Sequence, residues 1–163
     1  MNLNEKLMAQ GFALAEVKDS DLDIYIEIKK LCFEKYVDQY FGGWVDEVQR
    51  EMNSKAFEVS KEESCFKKIL LQGKTVGFFS FNEGTDVIDG LTIQMLPEAR
   101  NFGLGSWYLK YLTDLSEHTG KIVILKVFKS NPAQQLYIRH GFGICDDLKA
   151  HYLMKYEPGK KRD

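Results

Sequence analysis

Apolar residues recur along this chain with two periods, and the period changes near Cys65. Before that point the spacing is mostly helical. A short strand is predicted near Phe12 to Val17, after which Ser20 stands where an N-cap belongs and Ile24, Ile28 and Leu31 follow at intervals of three and four. That pattern predicts a helix to about Lys35. The stretch Tyr36 to Trp44 is aromatic and contains Gly42-Gly43, which predicts a loop, and Trp44, Val48 and Met52 then predict a second helix. From Cys65, CFKKILLQ and TVGFFSFN read as two strands of an antiparallel hairpin turning at Gly73-Lys74. Val87 to Leu96 reads as a strand closed by Pro97, which has no amide to give a ladder.

Downstream, Leu104, Trp107, Tyr108, Tyr111, Leu112 and Leu115 predict an amphipathic helix over Gly103 to His118. Ile122 to Phe128 is a β-branched run. Asn131-Pro132 then offers an N-cap followed by proline at the first helical position, and Gly141 stops that helix. Phe142 to Cys145 and His151 to Tyr156 supply two closing strands, so the chain is expected to be a mixed α/β (α+β) domain. No repeat divides it, and residues 1–163 are expected to form a single domain with a frayed tail at 157–163.

Charge and cysteine usage narrow the function classes. Net charge is −2 with acids and bases interspersed, too weak a field to hold a nucleic-acid backbone, so no nucleic-acid partner is expected. Cys32, Cys65 and Cys145 are odd in number and far apart, which argues against a disulfide framework and against a metal site. A reducing, cytoplasmic setting follows. Neither a leader-like N-terminus nor an apolar run long enough to span a bilayer occurs, so no membrane association is expected.

The chemistry concentrates in Ile93-Gln94-Met95-Leu96-Pro97-Glu98-Ala99-Arg100-Asn101-Phe102-Gly103-Leu104-Gly105-Ser106, a strand, a break and a glycine-containing helix start. Amides at a helix N-terminus carry partial positive charge, glycine lets backbone approach a pyrophosphate, and Arg100 adds a fork of donors. Alternatively, Gly103 and Gly105 serve only turn geometry and close packing. The chain lacks both G-x-x-x-x-G-K-S/T and G-x-G-x-x-G after a first strand, so the usual marks of ATP and NAD sites are missing.

Arg100-Asn101-Phe102-Gly103-Leu104-Gly105 resembles the Gln/Arg-x-x-Gly-x-Gly/Ala turn of the GNAT acyltransferase superfamily, which follows a strand ending in proline. Further on, Asn131-Pro132-Ala133-Gln134-Gln135-Leu136-Tyr137-Ile138-Arg139-His140-Gly141-Phe142 resembles the family's second element, built around an alanine, a tyrosine and Gly-Phe. Departures fall at Asn101 and Phe102, where the family commonly has glycine and a basic or polar residue. Asparagine tolerates left-handed geometry. Phenylalanine supplies no cation.

The resemblance implies a mostly antiparallel central sheet flanked by helices, and acetyl-CoA as co-substrate. It also implies cofactor contacts from Ile93, Met95, Arg100, Asn101, Phe102, Gly103, Leu104, Gly105, Ser106, Asn131 and Ala133. The pantetheine arm is expected to pair with open backbone groups near Ile93 and Met95, and an N–H near Met95 to stabilise the oxyanion. Tyr137 is the expected general acid for the departing thiolate. Among Glu83, Asp86 and Asp89, Asp89 is favoured as the base, although each also reads as a solvated carboxylate. Asn131 reads equally as a helix cap.

Tyr36, Tyr40 and Trp44 fall where the family builds its acceptor wall, and aromatic faces with carboxylates suit a cationic amine. They read as well as plain packing residues. The acceptor is expected to be a primary amine of a small molecule or peptide. A non-catalytic acyl-CoA-binding module and a plain structural domain are the competing readings, and homodimer formation is left open.

Overall fold

In the computed structural model of the chain, residues 1–162 are described, and seven strands hydrogen-bond in the order β1-β2-β3-β4-β5-β7-β6. They are β1 (Phe12–Glu16), β2 (Cys65–Leu71), β3 (Lys74–Glu83), β4 (Val87–Met95), β5 (Ile122–Phe128), β6 (Gly143–Asp147) and β7 (His151–Tyr156). The helices are α1 (Glu5–Ala9), α2 (Leu22–Phe41), α3 (Asp46–Glu63), α4 (Leu104–Thr119) and α5 (Gln134–Arg139). β1 pairs antiparallel with β2, and β7 pairs antiparallel with both β5 and β6, whereas β4 and β5 run parallel. This is the expected mixed, mostly antiparallel sheet flanked by helices.

By internal packing the chain forms two units: Met1–Ser80 with Thr92–Gly103, and Phe81–Leu91 with the chain from Leu104 onward. The core of the first is aromatic. Tyr25 and Ile28 of α2 and Phe57 of α3 bury against Phe66 of β2 and Phe78 of β3. The Tyr25 ring meets Phe57, Phe66 and Phe78 at 5.2, 5.6 and 5.3 Å between centroids, in tilted and edge-to-face arrangements that suit the ring quadrupole. Asp21 enters α2 through a buried ion pair. Its Oδ2 accepts from the Lys18 amide at 2.8 Å, and Lys68 Nζ lies 3.0 and 3.1 Å from its two oxygens. Removing Lys68 would leave the buried Asp21 carboxylate with the Lys18 amide but without its cation.

α2 differs from expectation at its far end. It continues to Phe41 and stops at Gly42, whose φ of 80° is left-handed, so Tyr36 to Phe41 are helical rather than a loop. The reason is local: Tyr36 and Tyr40 are four residues apart on one helix face, and no breaker precedes Gly42. α1, capped by the Asn4 side chain accepting from the Leu7 amide at 2.9 Å, has no counterpart in the sequence reading.

In the second unit, α4 buries Leu104, Tyr108, Leu109, Leu112 and Ser116, one face of the helix. Glu117 on α4 gathers the chain end: Tyr156 Oη donates to its Oε1 at 2.6 Å and the Gly159 amide to its Oε2 at 3.0 Å. Arg162 donates to Tyr156 Oη at 2.8 Å and lies 3.6 Å from the Tyr156 ring centroid. The tail at 157–163, expected to fray, carries these contacts as far as Arg162, and Asp163 lies outside the described residues.

The Tyr156 hydroxyl first, then the Gly159 amide and Arg162, hold the Glu117 carboxyl below the usual glutamate range. A carboxyl with a depressed folded pKa contributes stability that is present above its unfolded value, about 4.3, and is lost as pH falls through the lower folded value. The Gly159 amide is therefore expected to lose protection below about pH 4, and Glu117→Gln to remove that pH dependence. A Gly159 amide with the same pH dependence of protection in both proteins would contradict this.

Candidate active site

In β4, the backbone alternates. The Leu96 amide donates to Val76 O on β3 at 2.8 Å, and a Cβ placed on Gly77 would stand 2.6 Å from Gln94 O. Residues 94 and 96 thus direct backbone groups at β3, and Ile93 and Met95 direct theirs the other way. The Gln94 side chain is buried, donating to the Tyr25 carbonyl at 3.2 Å. The Met95 carbonyl is not open, as expected from sequence, but accepts from Arg100 Nε at 3.0 Å and Cys32 Sγ at 3.5 Å. Arg100 Nη2 lies 3.6 Å from the same sulfur. Of the five guanidinium N–H groups, these contacts engage two and leave three.

After β4 the chain makes a tight turn at Pro97–Ala99 and then passes through two left-handed residues, Asn101 at φ 66° and Gly103 at φ 97°. Asn101 takes the conformation its side chain tolerates. The amides of Asn101, Phe102 and Gly103 donate to no acceptor among the described residues. In an anion nest, alternation of right- and left-handed residues turns successive amides toward one side, and the left-handed Asn101 and Gly103 flank Phe102 at that spacing. α4 begins at Leu104, and no acidic side chain stands in its first turn to compete for an anion.

The two glycines of the turn have different jobs. An added Cβ at Gly103 would meet nothing within 4 Å, which leaves its backbone open to a ligand, while one at Gly105 would meet Leu136 Cδ2 at 3.1 Å. Gly105 therefore serves the packing of α4 against α5. Ser106 is half-buried. Phe102 is 40% exposed, and its ring meets that of Phe12 edge-to-face at 5.5 Å.

Tyr137 sits on α5, half-buried, its ring 6.2 Å from that of Phe142. Its amide donates to Ala133 O at 3.2 Å and its carbonyl accepts from the Phe142 amide at 3.1 Å, so both sides of the residue are fixed by backbone. Asn131 does not cap α5 directly. Its Oδ1 accepts from the Ala133 amide at 2.9 Å, and Ala133 is the N-cap. Of the three candidate bases, Glu83 is paired with Lys121 at 2.7 Å. Asp86 and Asp89 are exposed, with no side-chain partner among the described residues, and Asp89 lies just beyond the last β4–β5 pair, Ile88↔Val123.

The aromatic segment is more internally committed than its sequence implied. Tyr36 is only 5% exposed and Tyr40 is half-buried. Trp44 is held twice, its amide donating to Asp38 at 2.8 Å and its indole to Asp46 at 3.0 Å. Asp46 also pairs with Lys30 at 2.8 Å, and that hydrogen bond holds its carboxyl below the usual range. Cys32 and Phe12 were absent from the sequence-based site. Nothing in the sequence ties Cys32 to Met95, 63 residues away. Gly77 did carry a signal: glycine inside a strand marks close backbone approach.

With this geometry in view, the sequence profile of the Acetyltransferase (GNAT) family matches residues 29–142, more than half of the chain. The chain belongs to that family and is an acyltransferase. No curated protein matches it in sequence. Among solved structures, the PaiA N-acetyltransferase of Thermoplasma acidophilum in complex with coenzyme A is similar at TM-score 0.68 and 19% identity, over 90% of this chain and 98% of that one. The spermidine N-acetyltransferase of Vibrio cholerae, in complex with CoA and spermine, gives 0.66 and 16%, over 92% and 97%. The ribosomal-protein-S18-alanine N-acetyltransferase of Escherichia coli gives 0.63 and 19%, over 93% and 97%.

Proposed function

We propose that the chain transfers the acetyl group of acetyl-CoA to a primary amine of a small molecule or peptide by direct attack. The observation that carries this reading is the turn at 101–103, with three unpartnered amides, two left-handed residues and open space at Gly103. It fits a pyrophosphate, and Arg100 has donors left to add. Leu104, Gly105, Ser106, Asn131 and Ala133 are proposed as further cofactor contacts on the pattern of the family. Solved neighbours that carry CoA support the donor assignment.

In the reaction, the amine nitrogen lone pair bonds to the thioester carbonyl carbon. The Met95 N–H stabilises the oxygen as it gains charge, the C–S bond breaks, Tyr137 gives its proton to the departing thiolate, and the proton released by the acylated nitrogen restores the Tyr137 phenol through solvent. Asp89 accepts the proton that the ammonium must lose, directly or through water. No acyl-enzyme forms. Tyr40 and Trp44 are the proposed acceptor contacts, while Tyr36, 5% exposed, packs inside the first unit; the acceptor is a polyamine-like amine or a peptide N-terminus by analogy with neighbours named for spermidine and for an alanine of a ribosomal protein. Three free cysteines suit a reducing cytoplasm.

The test is thiol release from acetyl-CoA in the presence of spermidine, lysine and an alanine-terminated peptide. Release that requires one of these amines supports the reading. Tight acetyl-CoA binding with no release against any amine would instead make the protein a non-catalytic binding module.

A further inference from the structure

The stretch from Asn101 to Gly103 has almost nothing of its own to hold it in place. Its three amides find no acceptor among the described residues, and two of its three residues are left-handed. Arg100 fixes the entry by reaching back to Met95 O, and α4 fixes the exit. Between them the Phe102 ring packs against Phe12, 5.5 Å between centroids at 61°. Phe12 is a buried partner, only 3% exposed and registered opposite Leu71 in the β1–β2 ladder.

We propose that Phe102 is a positioning residue: its ring pins the turn to β1 so that the amides of 101–103 are aligned before the donor arrives. The proposal rests on the reading of this turn as the acyl-CoA site. An aromatic pin explains why a residue with no hydrogen-bonding group stands in the middle of an anion nest. A turn that fluctuates weakens binding by the reciprocal of the fraction of time it is aligned, so losing the pin to leave one tenth aligned weakens binding about tenfold.

The experiment is calorimetric titration of acetyl-CoA, and separately of acetyl-4′-phosphopantetheine, which keeps a phosphate but lacks the adenosine. Phe102→Ala is expected to weaken both ligands by the same factor, about tenfold, and Phe102→Tyr, which keeps the ring, to restore both to within about twofold. Should the alanine variant fail to fold, Phe102→Leu is titrated in its place and is expected to weaken both ligands equally. Undiminished binding by the alanine variant overturns the proposal. So does a loss confined to acetyl-CoA, which would assign the ring to the adenosine, and so does a tyrosine variant as weak as alanine. Wild-type protein that binds neither ligand removes the donor-site reading itself, and the proposal with it.

Discussion

Tyr137→Phe is expected to lower amine acetylation by about 10²–10⁴-fold, the range for loss of a positioned general acid, while acetyl-CoA binding stays within about twofold of wild type. The substitution removes one hydroxyl. The packing of the ring near Phe142 and the backbone hydrogen bonds that clasp residue 137 do not depend on that oxygen. A fall in turnover without a fall in donor affinity therefore reports chemistry rather than folding. Turnover within about threefold of wild type would show that the thiolate leaves without a proton from this residue.

Gly77→Ala has the largest expected effect on stability. A Cβ there would stand 2.6 Å from Gln94 O, 3.0 Å from Met95 Cγ and 3.3 Å from Met95 Cα. No side-chain rotation relieves a collision with a backbone oxygen, so β3 and β4 must separate. Overpacking of this kind costs up to about 3 kcal/mol, which for a chain of this length lowers Tm by roughly 6–12 °C. Because the displaced atoms belong to Gln94 and Met95, acetyl-CoA affinity falls along with stability. Parallel melting and titration of the variant check both. An unchanged Tm would mean that the strands have slack at this crossing, and that the backbone at Met95 is not held by close packing on β3.

Some of this was legible in the sequence. The strand before Pro97 and the helix after Gly103 are visible because apolar spacing changes from two to three-and-four across a glycine-bearing break, and both elements occur where that change predicts. The left-handed capacity of Asn101 was readable from residue type. What the sequence concealed depends on tertiary approach. Gly103 and Gly105 look alike in a motif, yet only an observed neighbour, Leu136, assigns Gly105 to helix packing. The capture of the Met95 carbonyl by Arg100 and Cys32 joins positions 5 and 63 residues apart, which no local pattern encodes. The extent of α2 was misread for a different reason. Aromatic density beside Gly42-Gly43 resembles a loop, although only the glycine breaks the helix. α1, five residues with Leu7 as its one buried side chain, is too short to show any period.

Thermal unfolding with acetyl-CoA, with ATP and NAD as comparison ligands, is the decisive measurement for a donor site at the 101–103 turn. At about one hundred times its dissociation constant a ligand adds roughly 2.7 kcal/mol, which corresponds to a rise in Tm of about 5–11 °C for a domain of this size. A donor site at this turn gives that rise with acetyl-CoA and none with ATP or NAD. No shift at millimolar acetyl-CoA, or an equal shift with all three, would contradict it.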